Sequence, residues 1–189
     1  MPAAAEGERF GARLAGAALE RTAHTVRYDP SYVALSYPMG DVPPDRGVCA
    51  DVVVRALRVL GVDLQALVHE DMKSDFDSYP DHWGLARPDS NIDHRRVPNL
   101  ATFFTRKGAR LAPSENPADY LPGDIVVWNL RGEKGFLPHI GVVTGETGPS
   151  GRPMVVHNIG NGPKQEDVLF EWRVTGRYRL TAQMFAGRT

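Results

Sequence analysis

Apolar positions recur at helical spacing from Arg9 to Arg21, where Phe10, Leu14, Ala18 and Leu19 share a face beside Arg9, Arg13, Glu20 and Arg21. A first helix is expected there. From Tyr28 to Arg46 the period is lost, because Pro30, Pro38, Pro43 and Pro44, with Gly40 and three aspartates, break any regular element. An ordered loop or extended arm is expected, anchored by Tyr28, Tyr32 and Tyr37; a loop this long in a compact domain usually serves a site. Gly47-Val48-Cys49-Ala50-Asp51 then opens a strongly apolar helix through Val52, Val53, Ala56, Leu57, Val59 and Leu60. Arg55 and Arg58 mark its wet side and Gly61 its stop. Asp63 is the expected cap of a second helix through Leu64, Leu67 and Val68. Residues 73–98 are polar and rich in Asp, His, Pro and Trp, so they read as a long surface insertion, with a short helix through Leu100, Phe103 and Phe104 after it.

The final third changes period. Ile125-Val126-Val127-Trp128, Ile140-Gly141-Val142-Val143 and Met154-Val155-Val156-His157 are short β-branched runs bounded by Gly, Pro and Asn, with a Gly/Pro-rich hairpin loop, Gly145 to Pro153, between the last two. Val168 to Trp172 and Tyr178 to Leu180 add one or two strands. Helices first and strands afterwards predict an α+β fold, N-terminal helices packed on a C-terminal antiparallel sheet. No internal repeat is visible.

A chain of 189 residues with 42% hydrophobic and 24% charged residues is expected to form one soluble domain, its core at about 20–180. The net charge of -1 gives no polyanion footprint, so nucleic acid is not an expected partner. No apolar run approaches the roughly 20 residues of a membrane span. Residues 1–8 are expected to be disordered. They hold no apolar signal core, yet Pro2-Ala3-Ala4-Ala5-Glu6 looks like the small-residue stretch around a signal cleavage site. The expectation is a periplasmic or secreted protein with Met1 added ahead of a mature N-terminus; a cytosolic protein with a loose start is the alternative.

The single cysteine excludes an intramolecular disulfide and a multi-cysteine zinc site. By general habit Cys49 would be a small buried hydrophobe. Its place where loop gives way to apolar helix favours a reactive thiol instead, since a helix N-terminus presents positive dipole and free N–H groups. Four histidines, His24, His69, His82 and His94, lie in polar stretches and read as solvated surface. His139 starts one strand and His157 ends another; if those strands pair through the 145–153 loop, both imidazoles reach the same sheet edge. The second then orients the first, as the third member of a triad does.

The order of a cysteine at a helix start, Leu121-Pro122-Gly123-Asp124 before an apolar strand, His139-Ile140-Gly141-Val142-Val143, and Val155-Val156-His157 resembles the NlpC-type cell-wall cysteine peptidases, a papain-like superfamily. Within it, the run Asp41 to Asp51 and the segment Val68-His69-Glu70-Asp71-Met72 look like a bacterial family of unassigned function. The resemblance covers roughly residues 20 to 180. It implies a Cys49-His139-His157 triad that cuts peptidoglycan stem peptides or a related amide, with no metal or other cofactor. His139 would hold Cys49 as thiolate and then protonate the leaving amine, through an acyl-enzyme that water releases. Where the superfamily has Asp-Cys-Ser-Gly, this chain has Val48-Cys49-Ala50-Asp51, so substrate contacts at that turn are expected to differ.

The Cys49 backbone N–H is the natural oxyanion donor, and Tyr28, Tyr37 or Arg46 stands as a second. Asp51 could bind a cationic substrate group, although a carboxylate in a helix's first turn is more simply a cap. Asn158 could orient His139 or serve as a turn residue. Asp124 reads as a structural turn, and Trp83, Trp128 and Trp172 as core or cleft wall. Three other functions stand as alternatives. A metallohydrolase would draw on His69, Glu70, Asp71, Asp75, Asp77, Asp81, His82 and His94, which lack a known ligand spacing. A papain-like binding module would hold wall peptides or a protein partner without cutting. An acyl transferase would use the same triad with an amine acceptor.

Overall fold

The computed structural model describes residues 3–186 and has the helices-then-strands order that the periodicity predicts. The first helix, α1 (Ala3–Glu20), starts six residues ahead of Arg9, because Ala3, Ala4, Ala5 and Glu6 are themselves good helix formers. The expected disorder of residues 1–8 is therefore corrected from Ala3 onward; Met1 and Pro2 lie outside the described residues. Phe10, Leu14 and Ala18 turn inward. Gly11 lets α1 approach the backbone of the Pro122-Gly123 turn, where Gly123 takes φ +87°, and a Cβ on either glycine would strike the other segment.

The Tyr28 to Arg46 arm is a loop with its two ends zipped together. β1 (Arg27–Tyr28) and β2 (Arg46–Gly47) form a short parallel pair, with Tyr28 opposite Gly47. Next comes α2 (Cys49–Val59), closed by Gly61 at φ +82°. Every residue of α2 from Cys49 to Leu57 is buried, including Arg55. Arg55 is thus not on a wet side. Its guanidinium binds both oxygens of Asp41 and the carbonyls of Val42 and Pro43, so the arm covers the helix's polar face. α3 (Leu64–Ser74) is capped by Asp63, whose Oδ1 accepts from the backbone N–H groups of Gln65 and Ala66.

The 73–98 segment is less superficial than its composition suggests. Asp93, His94 and Arg95 form a buried 3-10 turn ahead of α4 (Val97–Arg106). His94, expected on the surface, is 2% exposed, and burial lowers its pKa to about 4. Of the rival metal set, Asp71 is bound to Arg106 and Lys107, Glu70 accepts from Tyr37, and His82 stacks among Trp83 and Phe136. Among the described residues no three His, Cys, Asp or Glu side chains are arranged to hold a metal ion.

Six strands follow: β3 (Arg110–Leu111), β4 (Ile125–Asn129), β5 (Pro138–Thr147), β6 (Pro153–His157), β7 (Lys164–Glu166) and β8 (Arg173–Tyr178). They form one antiparallel sheet in the order β3-β8-β4-β5-β6-β7. Alternation along each strand divides the core. Ile125, Val127, Ile140, Val142 and Val156 face the helices, whereas Val126, Trp128, Val143 and Val155 face the other way. The apolar run Val168 to Trp172, expected as a strand, is instead an irregular segment that lays Leu169 and Trp172 over this second face. Trp128 Nε1 donates to the Leu169 carbonyl at 2.9 Å. Asp124 is the turn residue expected: it accepts from the Leu121 N–H and holds Arg179 through both oxygens.

Candidate active site

Cys49 is the first residue of α2, and the turn before it is rigidly held. Asp51 reaches back to accept from the Val48 N–H at 2.6 Å, which is half of a capping box, since Val48 has no side-chain acceptor to return. Both Asp51 oxygens also take Arg95, through Nε and Nη2 at 2.9 Å each, and the pair is almost fully buried at 3% and 2% exposed. Asp51 is therefore removed from the substrate-binding candidates: its carboxylate serves the helix start.

β6 ends at His157, which lies opposite Gly141 on β5. His139 is two residues back along β5, on the same face, so the two rings meet diagonally across the strand pair. His139 Nε2 and His157 Nδ1 stand 2.8 Å apart. The hairpin register expected from the sequence produces this pair. Trp128 stacks on the His139 ring and Trp172 closes over both imidazoles. Gly141 is required between them: a Cβ there would run into the Val155 side chain, the Val156 carbonyl and the Trp128 ring.

The thiol approaches the same strand from the helix layer. It packs with Ile140 in the helix-side core and lies against the Ile140 backbone N–H, one residue past His139. The Ala50 N–H and the Tyr28 hydroxyl also bear on the sulfur. Among the described residues no hydrogen bond joins the thiol to either imidazole. Burial dominates the electrostatics. It pushes the Cys49 thiol up to about 11, although the Ile140 and Ala50 amides pull the other way. It also lowers His139 to about 3, with His157 adding to the effect, and lowers His157 itself. Both shifts favour a neutral thiol and a neutral imidazole. They run against the expectation that His139 holds Cys49 as thiolate, since neither charge is solvated there.

The remaining candidates separate cleanly. Tyr28 is beside the sulfur, and burial with the neighbouring Cys49 pushes its pKa up to about 12, so it is a hydroxyl donor at neutral pH. Tyr37 is not a donor to the site, because its hydroxyl binds Glu70 and its ring packs on His69. Arg46 pairs with Asp29. Asn158 does not orient His139, a place His157 fills; its Oδ1 accepts from Gly160 N–H and its buried Nδ2 has no partner. With Gly47, Val48 and Asp51 it lines a small cavity behind the turn that leads into Cys49.

Two features escaped the sequence. Glu166 Oε2 lies 2.9 Å from His157 Nε2, on the side away from His139, though off the N–H direction. Exposed Phe136, Leu137 and Ile159 also leave the sheet at this end, two or three residues from the histidines. The second had a signal, being apolar residues in loops that flank both histidines.

A family model described as a domain of unknown function, DUF1287, matches residues 15–180. An uncharacterized protein of Escherichia coli K12, YijF, is 57% identical over 166 residues, which cover 88% of this chain and 80% of YijF. Among solved structures, NlpC1 from Trichomonas vaginalis aligns with 90% of this chain at 17% identity and a TM-score of 0.50. NlpC2 from the same organism aligns with 89% at 16% identity and a TM-score of 0.47. This chain spans 44% and 46% of those two chains. The likeness to NlpC1 bears on the fold, which is of the papain-like NlpC type.

Proposed function

The chain belongs to the DUF1287 family, and from that premise we propose that it is a cysteine hydrolase, a peptidase or amidase acting on peptidoglycan stem peptides in the periplasm or outside the cell. The observation that carries the reading is the buried His139–His157 pair at 2.8 Å on β5 and β6, with Cys49 at the start of α2 against the next residue of the same strand. In this mechanism the neutral thiol gives its proton to His139 as sulfur attacks the amide carbonyl. The Cys49 N–H and the Tyr28 hydroxyl receive the developing oxyanion, and His139 returns the proton to the leaving amine. Water, or an amine in a transferase, then releases the acyl group.

One competing function draws on a specific observation. A scaffold that binds wall peptides without cutting them would also hold its thiol neutral, as Cys49 is held. Digestion of purified peptidoglycan by wild type and by Cys49→Ala, read by mass spectrometry, separates the two. Fragments that need Cys49 support the hydrolase. Tight binding by both proteins with no new fragment supports the scaffold.

A further inference from the structure

Two neutral imidazoles in hydrogen-bond contact have no preferred direction of their own. Either His139 Nε2–H donates to His157 Nδ1, or His157 Nδ1–H donates to His139 Nε2. The two orders differ at the outer nitrogens. In the first, His157 carries its proton on Nε2 and His139 Nδ1 is a bare base. In the second, His139 Nδ1 is protonated and can accept nothing. Burial keeps both rings neutral, so the protein must choose between the orders by some other contact.

That contact is available on β7. Register places Glu166 opposite Val155, diagonal to His157 and on the same face, and its Oε2 lies 2.9 Å from His157 Nε2 but off the N–H direction, so it acts on the ring by charge rather than through a formed hydrogen bond. A carboxylate only accepts, so it favours a proton on Nε2. The rest follows along the chain of nitrogens: His157 Nδ1 becomes the acceptor, His139 Nε2 the donor, and His139 Nδ1 is left with its lone pair. We infer that Glu166 is a positioning residue that sets the tautomers of the imidazole pair and so makes His139 Nδ1 the free base of the site. Outer contacts of this kind commonly fix which imidazole nitrogen is protonated. The catalytic consequence rests on the hydrolase reading: the thiol S–H breaks, a proton forms N–H at His139 Nδ1, and the sulfur pair forms the S–C bond while the carbonyl electrons move to oxygen.

The test needs no substrate. Histidine-labelled protein examined by proton–nitrogen correlation NMR reports which ring nitrogens carry protons. Wild type should show Nε2–H on both rings and a bare nitrogen at His139 Nδ1. Glu166→Gln, whose amide can donate or accept, should show a mixture. Glu166→Lys, which only donates, should lose the bare-nitrogen signal at His139 Nδ1, and Glu166→Asp should retain it. The carboxylate is 41% exposed, so these changes should leave the fold intact. A wild type with a protonated His139 Nδ1, or the same tautomers in all four proteins, overturns the assignment. The expected spectra without any Cys49-dependent digestion would uphold the positioning role and remove only the hydrolase reading.

Discussion

The electrostatics of Cys49 make a quantitative statement about its reactivity. Burial and the Asp51 carboxylate oppose the thiolate, while the Ile140 and Ala50 amides and the Tyr28 hydroxyl favour it. The start of α2 favours the anion by about 0.3–1 kcal/mol. Burial at 5% exposure opposes it, and the balance lifts the pKa from 9.0 to about 11. Two units correspond to about 3 kcal/mol and about a hundredfold fewer thiolates at any pH below 9. At neutral pH only about one thiol in 10,000 is then ionised. Iodoacetamide labelling of the native protein, followed by intact mass from pH 6 to 10.5, measures this directly. The rate should climb about tenfold per pH unit with no plateau below pH 10. At pH 8 it should run at least about a hundredfold slower than in the urea-unfolded chain. A plateau near neutral pH would refute the reasoning, because it would mean that a thiolate and a protonated His139 already coexist at rest and that burial does not outweigh their attraction. If the slow profile is found and peptidoglycan is still cut, activation must arrive with the substrate.

Two further outcomes follow from the same contacts. The folded-state value of His139, about 3, lies below its unfolded 6.5, so its contribution to stability is whole above pH 6.5 and drains as pH falls toward 3, by roughly 5 kcal/mol at the limit. Urea midpoints taken between pH 7 and pH 4 should therefore fall less steeply for His139→Gln, and an unchanged slope would contradict the assignment. Arg95→Met strands the buried Asp51 carboxylate with the Val48 N–H and should cost about 3–5 kcal/mol in chemical denaturation. The Asp51→Leu/Arg95→Met double variant should recover much of that loss, and a single-variant loss below about 1 kcal/mol would show that the pair is not holding the helix start.

Much of the fold and of the imidazole pair was legible because it obeys period and register. The strands Ile125–Asn129, Pro138–Thr147 and Pro153–His157 stand close to where β-branched runs placed them, and the hairpin between the last two is what brings His139 to His157. What was not legible is coverage, which leaves no periodic mark. Arg55 is a charged residue in an apolar helix and His94 sits in polar sequence, yet the 40–46 arm and the 93–95 turn bury them. Val168 to Trp172 has the apolar content of a strand because it packs on the sheet's second face, not because it pairs. Glu166 lies in a three-residue strand of Lys, Gln and Glu, where no apolar alternation announces that one side chain faces a buried ring.

The insertion between α3 and α4 gains a role from these contacts. Its last turn supplies Arg95, 44 residues from Asp51 in sequence, and that ion pair secures the carboxylate that receives the Val48 N–H. The turn before Cys49 is therefore braced from two directions, by the short β1–β2 pair on one side and by the insertion's buried end on the other. The sulfur's direction depends on the φ and ψ of Val48 and Cys49, and the Arg95–Asp51 pair ties that turn to the buried end of the insertion. His139 and His157, fixed by the sheet and by Trp128, do not share that dependence.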